Sequence, residues 1–158
     1  MARKDVSMTN EEVKAFLAES RNIEVATLGP DGWPHVAPMW YTMRNDLVVF
    51  RSFSKSQKIV NLARDPRLTL LAEEGKAYSE LKGIMIKGEA ELIDDPAVVL
   101  EIYGELAARY PMIGEEPVAL DGPELEAAFG RFAPKNTAVI VHPTKMVSWD
   151  HTKLAGDY

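Results

Sequence analysis

The sequence predicts a mainly β fold, a small antiparallel barrel with helices around it, and three observations carry that prediction. Apolar runs of strand length are separated by turn signals rich in Gly, Pro, Asn and Asp. Most of these runs follow one another directly instead of alternating with crossover helices, which argues against a doubly wound parallel sheet. The chain has 158 residues, 46% of them hydrophobic, enough for one domain, residues 1–158, with a real core.

The elements follow in order. Thr9-Asn10-Glu11-Glu12 reads as a capping box with Thr9 as N-cap, and Val13, Phe16 and Leu17 supply the apolar stripe of a first helix. Residues 23–28 are β-prone and run into Gly29-Pro30-Asp31-Gly32, a type I turn with Pro at its second position. Residues 34–43 leave that turn as a second strand, so the pair reads as a hairpin. Both alternating sets of this strand are largely apolar, so it is expected to be covered on both faces, and Pro38 marks an edge, bulge or kink because it cannot donate to a ladder. Residues 47–53 form a third strand. Residues 54–65 form a short helix with stripe Ile59, Leu62 and Ala63, stopped by Pro66. Residues 68–73 and 78–94 are further strands, the second with Ile84, Ile86, Ala90 and Leu92 alternating against Lys87, Glu89 and Glu91. Asp95-Pro96 opens a helix with Pro at its first position, residues 123–132 form another, and residues 137–142 and 146–149 close the sheet. The expectation is six or seven strands and about four helices.

Composition excludes several functions. The chain has no Cys, so a disulfide framework, an iron–sulfur site and thiol chemistry are out. With 18 basic and 24 acidic side chains the net charge is −6, which argues against broad nucleic-acid binding. No run approaches the ~20 apolar residues that cross a bilayer, and the polar start lacks a signal-peptide core, so the expected location is cytoplasmic. His35, His142 and His151 are scattered without metal-ligand spacing, so no metal site is expected. No nucleophile elbow, P-loop or dinucleotide fingerprint is present.

One helix begins with the wrong charge. A helix N-terminus carries partial positive charge, so acids belong there; Glu11 and Glu12, Asp94 and Asp95, and Asp121 and Glu124 obey this in three helices. The helix at 54–65 instead opens Ser54-Lys55-Ser56-Gln57-Lys58, with Ser54 expected as cap and no acid in its first turn. Lys55 and Lys58 share a side, and Ser52, Ser54 and Ser56 add hydroxyls beside free backbone N–H groups, a phosphate cradle of the helix-terminus type. The competing reading is that both lysines are solvated surface residues. For Met39, Trp40 and Tyr41 the competing reading is plain core packing.

The stretch FRSFSKSQKIVNLARDPR at residues 50–67, after ATLGPDGWPHVAPMWY at 26–41, resembles the flavin-binding split-barrel superfamily, which includes pyridoxamine-phosphate oxidases and deazaflavin (coenzyme F420)-dependent reductases. The K-x-x-N-L-x-R-D-P-R pattern at 58–67 is closest to the deazaflavin branch. The resemblance implies a six-stranded antiparallel split barrel that forms a homodimer, with cofactors in grooves between protomers. It implies that Ser52, Ser56, Gln57 and Lys58 hold the cofactor phosphate and that the backbone of Ala37, Pro38, Met39 and Trp40 lies along the ring. Lys55 and Arg51 join the candidate set on electrostatic grounds, Arg51 for the phosphate or an acidic cofactor tail. Asn61 supports the helix, and Trp149 and Tyr78 are candidates to close over the ring. The implied activity is hydride transfer from coenzyme F420 to a small conjugated organic substrate. The alternatives are an FMN-dependent oxidoreductase and a non-catalytic flavin- or haem-binding protein. The tail SWDHTKLAGDY has no arginine where pyridoxamine-phosphate oxidases carry a phosphate-binding pair, which argues against pyridoxal-phosphate synthesis.

Overall fold

A computed structural model describes residues 5–154; the polar start at 1–4 and the last residues of the tail, 155–158, lie outside the described residues. The elements are α1 (Asn10–Glu19), β1 (Ile23–Leu28), β2 (Pro34–Met39), β3 (Thr42–Arg44), β4 (Leu47–Phe53), α2 (Gln57–Arg64), β5 (Arg67–Glu74), β6 (Lys82–Ile93), α3 (Pro96–Arg109), α4 (Gly122–Phe129) and β7 (Asn136–Asp150). The capping box of α1 forms as expected, with the Glu12 N–H donating to Thr9 Oγ1 at 3.2 Å and the Thr9 N–H donating to Glu12 Oε2 at 2.7 Å. Pro96 sits in the first turn of α3, and Asp95 caps it by accepting from the Ala97 N–H at 2.9 Å.

The fold is mainly β, with one antiparallel sheet in the order β2-β1-β5-β6-β7-β4-β3. It has seven strands, within the six or seven read from the residues and one more than the resemblance implies. The difference lies in residues 34–43, which divide into β2 and β3 at opposite edges of the sheet. Trp40 and Tyr41 carry the chain across, and this crossing rolls the sheet into a barrel that is split between β2 and β3. Without a ladder partner, the Tyr41 backbone is satisfied by a side chain: the Tyr110 hydroxyl donates to the Tyr41 carbonyl at 3.1 Å and accepts from its N–H at 3.4 Å. The Tyr41 hydroxyl in turn donates to the Leu17 carbonyl at 2.6 Å. In contrast, 137–142 and 146–149 are parts of the single strand β7, which passes a bulge opposite Lys87 and Gly88. β6 starts at Lys82, because residues 78–80 wind into a short 3₁₀ turn.

Two apolar clusters share this sheet. The barrel interior holds Val25, Tyr41, Val48, Phe50, Leu70, Ile84 and Val141, with Phe16 and Leu17 of α1 and Ile59 and Leu62 of α2. On the outer side of β4 and β7, α3 packs Val99, Ile102, Tyr103 and Leu106 against Val49 and Ala138. β4 is thus buried on both faces at its centre. The Tyr110 hydroxyl is the hinge pin of the crossing, so Tyr110→Phe orphans two buried backbone groups at ~1–3 kcal/mol in all. Thermal denaturation should show a Tm lowered by roughly 3–10 °C.

Candidate functional site

The first turn of α2 gathers part of the predicted cradle. Ser56, not Ser54, is the N-cap, and no side chain caps the first turn. Ser54 is drawn off because its N–H donates to the Lys135 carbonyl at 2.9 Å and its hydroxyl is hydrogen-bonded at 2.9 Å to the Thr137 hydroxyl, which itself donates to Asp94 Oδ1. Ser52 Oγ and Ser56 Oγ are 3.0 Å apart, and Lys58 Nζ donates to Ser52 Oγ at 3.3 Å. Ser52 is buried and Lys58 half-buried. Among the described residues no carboxylate faces Lys58, and burial alone pushes its ammonium below the ordinary lysine range.

The other phosphate candidates are placed differently. Gln57 runs forward along the helix and donates to Asn61 Oδ1 at 2.8 Å, which draws its side-chain amide away from the helix start. Lys55 is exposed and stands before the first turn of α2, outside the cluster. Asn61 is fully buried and donates to Thr27 Oγ1 at 3.0 Å, which pins α2 to β1 as expected of a supporting residue. Arg67 and Asp65 form a surface ion pair at 2.7 Å, and the Arg67 guanidinium holds the Asp65 carboxyl down at about 2. Arg64 donates to the Leu28 carbonyl.

Arg51 follows Ser52's neighbour rule: adjacent strand residues point to opposite faces. Its guanidinium lies 4.2 Å above the Tyr103 ring on the α3 side, away from Lys58, and its Nη1 donates to Asn136 Oδ1 at 3.2 Å. There it lines a cleft of about 430 Å³ with Arg21, Asn22, Pro38, Met39, Trp40 and Leu106. Trp40 stacks on Tyr110, centroids 4.8 Å apart and planes 7° from parallel. Ala37 is half-buried and pairs with Val25. The cleft therefore unites Pro38, Met39, Trp40 and Arg51, while Ser52, Ser56 and Lys58 form a separate corner. Arg21, Asn22 and Leu106 were not anticipated; they come from the start of β1 and from α3, and no local pattern marks them.

Trp149 and Tyr78 do not close over the corner within one chain. Trp149 packs over Gly83 near the far end of β7 from Thr137, the partner of Ser52, and Tyr78 stands against the His151 ring at 4.6 Å. The expected cover over both faces of β2 is also missing within one chain, since β2 is an edge strand that alternates between exposed and half-buried. On the outer sheet face Val36, Leu71 and Val147 are 58%, 36% and 42% exposed, and the register puts them on one side with Pro38 and Met85. Among the described residues no cluster of metal-ligating side chains occurs, and no helix is long and apolar enough to cross a membrane.

A phosphate ester fits the corner chemically. Half-buried Lys58 lacks a counter-charge, two hydroxyls point at each other beside it, and the opening N–H groups of α2 have no capping side chain.

Comparison with known proteins agrees with this architecture. The model of the pyridoxamine 5'-phosphate oxidase family matches residues 9–149. A conserved hypothetical protein from Mycobacterium tuberculosis is 32% identical, with 100% of this chain and 94% of that one covered and a TM-score of 0.87. An F420 reductase shares the fold at 22% identity, covering 84% of this chain and 94% of that one, TM-score 0.64. A FAD-binding protein from Mesorhizobium loti shares it at 16% identity, 90% and 94% coverage and TM-score 0.64. No curated protein matches the chain.

Proposed function

The chain belongs to the pyridoxamine 5'-phosphate oxidase family, and from that footing we propose that it is an oxidoreductase that uses coenzyme F420 to transfer a hydride to a small conjugated organic substrate. The observation that carries the reading is the half-buried, acid-free Lys58 ammonium beside Ser52 and Ser56 at the uncapped start of α2. When bound, the deazaflavin ring supplies the redox chemistry itself. The chain's residues do the rest. Lys58, Ser52 and Ser56 hold the phosphate, aided by the backbone N–H groups of Gln57 and Lys58, while exposed Lys55 adds positive potential at the entrance. The half-open β2 backbone from Ala37 through Met39 provides the flat wall for the ring. Pro38 has no N–H, which leaves that wall without one donor.

The choice of deazaflavin rests on the 58–67 pattern K-x-x-N-L-x-R-D-P-R and is helped by the fold-level likeness to an F420 reductase. FMN is the second reading, favoured by the same corner, since both cofactors offer a phosphate and a tricycle. Equilibrium dialysis against each cofactor separates them: saturable F420 binding that FMN does not match supports the first, and binding of FMN alone transfers the assignment.

A homodimer belongs to this reading. The half-exposed edge strand β2 and the outer sheet face, where Val36, Leu71 and Val147 stand exposed beside Glu24, are surfaces a second copy would cover, with the cofactor then lying in a groove between protomers. A charge buried in such a face is costly, so Leu71→Glu is expected to give a folded monomer in sedimentation at micromolar concentration, with cofactor affinity reduced at least about tenfold. A wild-type protein that sediments as a monomer contradicts the shared groove.

A further inference from the structure

Arg51 is provisioned for an anion that the chain does not supply. Its Nε is buried without a hydrogen-bond partner, Asn136 Oδ1 is the acceptor on its Nη1, and its plane rests on Tyr103. A desolvated guanidinium is ordinarily met by a carboxylate. This chain carries 24 acidic residues, yet none among the described residues reaches Arg51. The cation sits in the wall of the Trp40 cleft, where Arg21 is a second, exposed guanidinium and Leu106 is apolar. Trp40, held flat by Tyr110 beneath it, offers a platform for a planar group. The cleft volume of about 430 Å³ lies in the range of small-molecule sites.

We infer that this cleft recognises a planar conjugated carboxylate, with the ring of the ligand against Trp40 and its carboxylate hydrogen-bonded to Arg51. The word substrate for that ligand rests on the oxidoreductase reading above; the binding itself does not. A carboxylate also occurs on the glutamate tail of coenzyme F420, but that tail has no conjugated plane beside its charge, so the Trp40 platform favours a substrate.

Titration of the cofactor-free full chain with trans-cinnamate and its neutral isostere trans-cinnamamide, followed by tryptophan fluorescence and calorimetry, tests this. The acid is expected to bind at least tenfold more tightly than the amide. Arg51→Gln should abolish that preference and Arg51→Lys, which keeps the charge, should retain part of it, with melting curves verifying that both variants fold. Lys58→Ala should leave the preference intact, so failure of the phosphate corner and failure of this cleft are distinguishable. A triglutamate peptide run in parallel should bind no better than cinnamate; tighter triglutamate binding that depends on Arg51 overturns the substrate assignment in favour of the tail. Equal affinity for acid and amide, or an Arg51→Gln variant that keeps the preference, overturns the inference as a whole.

Discussion

Lys58→Ala is expected to weaken binding of the phosphate-bearing cofactor by about 30- to 1,000-fold while leaving the fold intact. That range corresponds to ~2–4 kcal/mol for losing a partly desolvated charge-assisted contact to an anion. The free protein should not suffer, because Lys58 is half-buried, lacks a carboxylate and is held below the ordinary lysine value of 10.5 by burial. The sign of the pH effect follows. With the folded-state pKa below the unfolded one, the unfolded chain binds more protons between the two values, so stability rises with pH through that window. Below the folded-state value the ammonium carries its full desolvation cost. Cofactor affinity runs the other way and falls as pH climbs through the Lys58 titration, starting at lower pH than an exposed lysine would give. Fluorescence titration of wild type and variant across alkaline pH checks both statements, and the variant should lose this pH dependence.

Asn61→Leu should be the most damaging single change near the site. Asn61 is completely buried, donates to Thr27 Oγ1 at 3.0 Å and accepts from Gln57 Nε2 at 2.8 Å. Leucine fills a similar volume but leaves the Thr27 hydroxyl, itself buried, without that donor. The expected cost is ~2–4 kcal/mol, which lowers Tm by roughly 5–15 °C in a chain of this size. Because Asn61 holds α2 against β1, cofactor affinity should fall as well, although Asn61 touches no ligand. Thermal denaturation by circular dichroism measures the first effect. A Tm within a degree or two of wild type would mean that α2 is held by Ile59 and Leu62 alone.

What was legible in the sequence was what neighbours in the chain decide. The capping box at Thr9 and Glu12, the Pro96 helix start and the alternation along β6 are local patterns, and each forms where expected. The cluster of Ser52, Ser56 and Lys58 was legible for the same reason, since it lies within one strand end and one helical turn. The break after Met39 was not, because hydrophobicity continues unbroken through Trp40 and Tyr41. What ends the strand is the hydroxyl of Tyr110, which becomes a neighbour only when α3 packs on the sheet. The cap moved from Ser54 to Ser56 through the same kind of distant contact, with Lys135 and Thr137. Arg51 is a different lesson. The alternation of a strand already separates it from Ser52, so its assignment to the phosphate yields to its place in the Trp40 cleft.

A crystal structure of the protein with coenzyme F420 bound would show directly where the cofactor phosphate sits. The phosphate oxygens should lie within hydrogen-bonding distance of Lys58 Nζ and the Ser52 and Ser56 hydroxyls, at the first turn of α2. A phosphate bound elsewhere, with Lys58 left in solvent, would contradict this placement.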